Sequence, residues 1–233
     1  MTLFADVSEF QRPVDDSYPH PILSIRSNDG TYRDGNFAAN YAWMRRALDS
    51  GRLSCGIIYC YWRSNVDATF ATMRSMIDGN GGLHPKTILM VDLESGGNPG
   101  GDQSWGVNHM IDLMAAYTGN RKRVIVYANA GDFYGMWRER DPASIGGTIG
   151  AGYGQNPRLP NQIAHQYTDG IYGAEQGLPM AAPPFGHCDM NSADNLSADQ
   201  FAALCGIGPA HPGGMSDAQY AQFATNMAQL GPS

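Results

Sequence analysis

The stretch "ILMVDLES", residues 88 to 95, sets four apolar side chains in a row and then turns acidic, with Asp92 and Glu94 one residue apart. Apolar residues without polar alternation suit a strand in a parallel sheet covered on both faces. Two carboxylates at the end of such a strand are costly, because desolvating a charge is strongly unfavourable. Residues two apart on a strand point to the same side. In a parallel barrel, the C-terminal strand ends form the active face. The stretch therefore predicts a buried strand that ends at a functional mouth.

Seven other β-rich runs share the pattern, at 2–7, 22–27, 56–61, 123–129, 148–151, 163–167 and 187–191, and 88–94 is the fourth of the eight. Helical spacing lies between several of them. Phe37, Tyr41, Met44 and Leu48 form one stripe, and Val66, Phe70, Met73 and Ile77 a second, behind Asn65 as N-cap. Met110, Ile111, Met114 and Tyr117 form a third, with Ser104 as its cap. These stripes read as core faces. Gly and Pro dominate 141–186, so the later connections are expected to be loops. Alternating strands and helices imply right-handed βαβ units. The expected fold class is α/β: eight strands closing a barrel, with a reduced set of helices in the second half.

Ser197 and Gln200 form a capping box that opens a helix over 198–205. The barrel is expected to span 1–205, followed by a linker at 206–215. Residues 216–233 carry the stripe Tyr220, Phe223, Met227 and Leu230. They are read as a terminal helix or the start of a connection to an absent module.

The 233 residues carry a formal charge of −7 and two lysines, Lys86 and Lys122. Without a basic stripe, nucleic acid is not an expected partner. No apolar run is long enough to span a membrane. The opening "MTLFADVSEF" has no basic segment, and an acid stands at position 6, so no signal peptide is read and synthesis in the cytoplasm is expected. Cys55, Cys60, Cys188 and Cys205 show no CxxC or metal-ligand spacing and read as buried thiols, with one disulfide an open alternative. The six histidines show no paired ligand spacing. A monomer without cofactor or metal is expected.

Asp6 ends the first strand, and Asp189 lies in the last, its neighbour in a closed barrel. With Asp92 and Glu94 from across the mouth, four carboxylates can converge. Like charges raise one another's pKa, so one acid should hold its proton near neutral pH. A protonated carboxyl beside ionised ones is what glycosidic cleavage requires. The same acids could instead hold a divalent cation, or each could pair with a surface arginine.

"DVSEFQ" (6–11), "MVDLES" (90–95), "HQYTDG" (165–170) and "CDMN" (188–191), in that order, resemble the family 25 glycoside hydrolases, N-acetylmuramidases or lysozymes of bacterial and phage origin. The likeness covers residues 2 to 205. It implies an irregular TIM-like barrel that cleaves the β-1,4 bond between N-acetylmuramic acid and N-acetylglucosamine in peptidoglycan, with retention. It also implies Glu94 as general acid and Asp92 as its partner, orienting the acetamido group or acting as nucleophile or stabiliser. Asp6 and Asp189 would be outer acids that tune Glu94. The "YCY" of strand three implies Tyr61 at the site. Tyr127 resembles another site tyrosine, Gln166 and Asn191 would position substrate, and Trp62 would stack on a sugar ring.

Two positions depart from the family pattern. Ile149 stands where the sixth strand commonly has Trp, and Cys60 where His is usual. Met90 occupies the position of an extra Asp found in chitinase-like barrels. The composition and the possible linker resemble the catalytic part of a phage endolysin, which is made in the host cytoplasm and acts on the bacterial wall. The alternatives are a metal-dependent cell-wall hydrolase or amidase, and a non-catalytic wall-binding barrel.

Overall fold

The computed structural model describes residues 1–173 and 177–208. Its main sheet holds β1 Leu3–Val7, β2 Ile22–Asp29, β3 Cys55–Tyr61, β4 Thr87–Asp92, β5 Val124–Asn129, β6 Gly147–Ala151, β7 Gln162–Thr168 and β8 Asp189–Ser192, with Tyr32–Arg33 as a short strand beside β2. β1 pairs with both β2 and β8, which closes the barrel. The fold is α/β and TIM-like, as the sequence implies.

The apolar run of β4 shows why the sheet closes. Ile88 and Met90 point inward and pack with Ile57, Ile125 and Ile149 from β3, β5 and β6. Leu89 and Val91 point outward to the helices, with Ile58, Val124 and Val126. Both faces are therefore apolar, each buried side chain contributing about 1.5–3 kcal/mol. Asp92 continues the inward row of Ile88 and Met90 and so reaches the mouth.

Helices α1 Phe37–Asp49, α2 Val66–Gly79, α3 Ser104–Thr118 and α4 Ala130–Met136 follow β2, β3, β4 and β5 in turn. The predicted stripes of the first two are buried throughout, as are Met110, Ile111 and Met114 of the third. The caps differ from expectation. Asn65 holds the N-cap position of α2, yet its side chain accepts from the Thr69 hydroxyl at 3.1 Å, not from a backbone amide. Ser104 is the first helical residue of α3, with Gln103 at the cap. Helix α4 was not expected; its seven residues are too few for a periodic signal.

The last helix, α5 Ala198–Leu204, opens on the predicted Ser197–Gln200 capping box. It plugs the far end of the barrel: Phe201 meets Phe4 with ring centroids 5.7 Å apart, and Ala202, Cys205 and Ile207 join the interior core. All four cysteines are buried and free. The expected linker is described as far as Gly208. Residues 209–233, including the terminal stripe, lie outside the described residues. No described helix is long and apolar enough to cross a membrane.

Two corrections concern the mouth. β8 runs antiparallel to both β1 and β7, whereas the other barrel neighbours are parallel. Among the described residues no helix lies between β7 and β8; the connection bears a small ribbon of Ala181–Ala182 with Gly186–His187. The chain therefore re-enters the sheet from the mouth, and Asp189 stands at the start of its strand, directly opposite Asp6. The second correction is that β4 ends at Asp92, leaving Glu94 past the strand. The Leu93 amide still donates to the Tyr127 carbonyl at 2.9 Å. The backbone therefore stays extended along β5 for one more residue.

Candidate active site

The carboxylates gather where the inward rows reach the mouth. A small cavity of about 40 Å³ is lined by Asp6, Asp92, Glu94 and Asp189, with Tyr59, Met90, Tyr127 and Gln166. An open cleft of about 390 Å³ adjoins it, lined by Glu94, Tyr127, Asn129, Ala151, Gly152 and Tyr153. Glu94 and Tyr127 belong to both. Glu94 is half-buried, while Asp92 and Asp6 are buried below it.

Each acid has distinct partners. Asp6 Oδ2 accepts from the Ser24 hydroxyl of β2 at 3.0 Å, and its buried Oδ1 has no hydrogen-bond partner among the described residues. Asp92 Oδ1 is likewise unpartnered. Burying such groups favours their neutral forms. Burial raises Asp6 to about 7, against the opposing hydroxyls of Ser24 and Tyr59. Asp189 rises to about 8, through burial and then the charge of Asp6. Asp92 is pushed well above the ordinary range by burial, with Glu94, Asp6 and Asp189 adding to the rise. Glu94 is raised by burial as well, with the Tyr61 hydroxyl opposing. Arg26 on β2 is the cation that offsets the charge on Asp6 and Asp92; it is itself held by Asp34 at 3.0 Å and Glu9 at 3.2 Å. The cluster therefore retains protons at neutral pH and titrates as a unit.

The remaining residues singled out by sequence fall into three settings. Tyr127 donates to Gln166 Oε1 at 2.7 Å, and Tyr153 donates to the same oxygen at 3.1 Å. Tyr61 faces Glu94, its hydroxyl lying between that carboxyl and the Gly96 carbonyl at 3.0 Å, with Arg63 4.5 Å over its ring. Asn191 is 1% exposed and lies one inward step below Asp189, opposite Gln166 in register, and neither of its amide atoms has a hydrogen-bond partner among the described residues. Trp62 is 0% exposed and packs beneath α3, where a Cβ on Gly106 would come within 2.9 Å of its ring. Buried in the helix layer, Trp62 offers no face to a ligand, so the stacking role expected of it has no surface to act through.

Two tyrosines lining the site escaped the sequence reading. Tyr59 precedes Tyr61 by two, so the strand period that turns one inward turns both. Tyr153 follows β6 in a Gly-rich loop and carries no periodic signal. β6 itself stands where the sequence puts it, with Ile149 buried inside the barrel. The rim above Ile149 is built by Ala151, Gly152 and Tyr153.

No family model matches the chain. Over 206 residues the chain is 61% identical to the uncharacterized protein Rv3766 of Mycobacterium tuberculosis, covering 88% of this chain and 74% of that protein. It belongs to the Rv3766 family. Among solved structures, the catalytic domain of endolysin ply40, from bacteriophage P40 of Listeria monocytogenes, is 21% identical with a TM-score of 0.59, covering 88% of this chain and 98% of that one. GHIP, a glycosyl hydrolase 25 of Streptococcus pneumoniae, is 15% identical with a TM-score of 0.60, over 89% and 94%. The modular autolysin LytC of the same species, in complex with a synthetic peptidoglycan ligand, is 15% identical with a TM-score of 0.58, over 82% and 46%. At these identities the likeness establishes a shared fold between the Rv3766 family and these proteins.

Proposed function

We propose that this chain is a peptidoglycan hydrolase, a retaining N-acetylmuramidase that cleaves the β-1,4 bond between N-acetylmuramic acid and N-acetylglucosamine. The observation that carries the reading is the position of Glu94, where a buried acid-lined cavity opens into a cleft. A carboxyl there can keep its proton and still reach a bound glycan. Glu94 donates that proton to the glycosidic oxygen as the bond to the anomeric carbon breaks. Asp92 faces the positive charge that develops on the ring. It then either attacks the carbon or orients the substrate's acetamido group to do so. Glu94, now a carboxylate, takes a proton from the incoming water. Asp6 and Asp189 raise the proton affinity of the mouth so that the pair shares one proton in the reacting form, held by Glu94 with Asp92 ionised, and Tyr127, Gln166 and Tyr153 shape the cleft wall. The fold shared with endolysin, autolysin and glycosyl hydrolase 25 catalytic domains supports the same reading. We take the barrel, 1–205, as the catalytic unit, acting as a monomer on the bacterial wall.

Mass spectrometry of digested peptidoglycan tests this. Reducing-end muramic acid is the expected product. Reducing-end glucosamine would make the chain a glucosaminidase, and binding without new reducing ends would leave a wall-binding barrel. Among the described residues no group of three or more His, Cys, Asp or Glu is arranged to hold a metal ion. Cleavage is accordingly expected to proceed undiminished in EDTA; loss reversed by one divalent cation would favour the metal-dependent alternative.

Trp62 supplies a complementary measurement. Trp62→Ala is expected to destabilise the fold by about 3–5 kcal/mol. Trp62→Phe, which refills most of the space, should leave KM for glycan unchanged. A large rise in KM with an intact melting transition would return the indole to the binding surface.

A further inference from the structure

A fifth carboxylate approaches Glu94 from outside the barrel. Asp132 lies in the first turn of α4, the helix that β5 delivers to the same rim. Its Oδ2 accepts from the backbone amide of Ser95, the residue directly after Glu94, at 3.1 Å. The same oxygen accepts from Asn129 Nδ2 at 2.6 Å. Asn129 Oδ1 in turn accepts from the Asp132 amide at 2.9 Å, capping α4. Asn129 also lines the open cleft beside Glu94. The last residue of β5, the first turn of α4 and the loop after β4 are thus tied through one side chain.

We propose that Asp132 is a positioning residue for Glu94: it clamps the loop after the acid to the start of α4 and sets a carboxylate beside it. The proposal rests on the reading of Glu94 as proton donor. A loop rich in glycine follows, "SGGNPGG" at 95–101. Tyr61 and Arg63 hold its Gly96 carbonyl and Asn98 donates to the Glu94 carbonyl at 2.7 Å, while Asp132 holds the Ser95 amide between them. A second effect is electrostatic. From inside the barrel Asp6, Asp92 and Asp189 surround Glu94. At the rim stand the phenols of Tyr61, Tyr127 and Tyr153. The nearby cation Arg63 is engaged by Asp29 and by the Gly96 carbonyl. Burial is the main reason that Glu94 is raised, and Asp132 adds to the rise from the side open to the cleft.

The two roles separate by substitution. Asp132→Asn keeps an acceptor for the Ser95 amide and removes the charge; Asp132→Ala removes both. The chain has four glutamates, Glu9, Glu94, Glu139 and Glu175, so carbon-13 labelling of glutamate gives a side-chain carboxyl spectrum simple enough to titrate. The Glu94 midpoint is expected to fall by about half a pH unit in Asp132→Asn. The basic limb of the kcat/KM profile should shift by the same amount, with KM within about twofold of wild type. Asp132→Ala should show that shift and a further loss in kcat of about tenfold, from the slackened loop. A Glu94 midpoint unmoved in Asp132→Asn would overturn the proposal, and a rate loss without that movement would reduce Asp132 to a structural tie between the loop and α4. If the midpoint moves while no form of the protein cuts glycan, the proposed reaction fails and the positioning of Glu94 stands.

Discussion

Replacing Glu94 by Gln is expected to lower kcat for glycan cleavage by about 10³-fold or more, while the melting transition and glycan binding remain as in wild type. A positioned general acid typically contributes about 10²–10⁴-fold, and Gln retains the size and hydrogen-bonding capacity of the neutral acid without a proton to transfer. The fold should not suffer, because Glu94 lies past the end of β4 and makes no ion pair among the described residues. Removing it also relieves the like-charge pressure on Asp92, to which it is a leading contributor after burial. The variant should therefore be at least as stable as wild type. Turnover on purified peptidoglycan, with binding measured by pull-down on the same material, separates the two effects. Near-normal turnover would remove Glu94 from the acid role, and a collapsed fold would make its contribution structural.

Much of this site was legible in the sequence because it sits on strands, where position predicts direction. The inward row of Ile88, Met90 and Asp92 follows from a period of two, and so does Phe4 with Asp6 on β1. What escaped lies where no period exists. The sense of β8 depends on whether the preceding chain crosses the barrel's full height. A loop rich in Gly and Pro leaves that open, and here it returns without crossing. Trp62 follows the inward-facing Tyr61 by one and so belongs to the outer face, under α3. A large aromatic beside a site motif nonetheless invites a binding role. Asp132 lies nearly forty positions from Glu94 and is tied to its neighbour Ser95 through that residue's backbone amide, a contact that composition and spacing do not encode. The same rule places Tyr59 beside Tyr61, so that tyrosine could have been found from the sequence.

Asp92→Asn is expected to trade activity for stability. It removes the group that faces the developing ring charge, with a loss in kcat of about 10²–10³-fold expected from deleting a focused electrostatic partner. Yet Asp92 is buried, one carboxylate oxygen has no partner, and every acidic neighbour disfavours its charge. The cluster's native-state proton affinities exceed those of the unfolded chain. Between the unfolded carboxylate value near ~4 and the folded values of about 7 for Asp6 and about 8 for Asp189, the native state binds more protons. Stability must then decline as pH rises through that window and be fully present below it. Asparagine carries no charge to desolvate, and it leaves Asp6 and Asp189 with one fewer negative neighbour. The melting temperature of Asp92→Asn should therefore exceed that of wild type by several degrees, about 2–8 °C, at pH 8. At pH 4, where the wild-type cluster is already neutral, the difference should shrink toward zero. Melting curves of both proteins across that range decide the matter. A variant less stable than wild type at pH 8, or an advantage that grows toward acid, would mean that the four carboxylates do not share a buried, mutually repelling mouth.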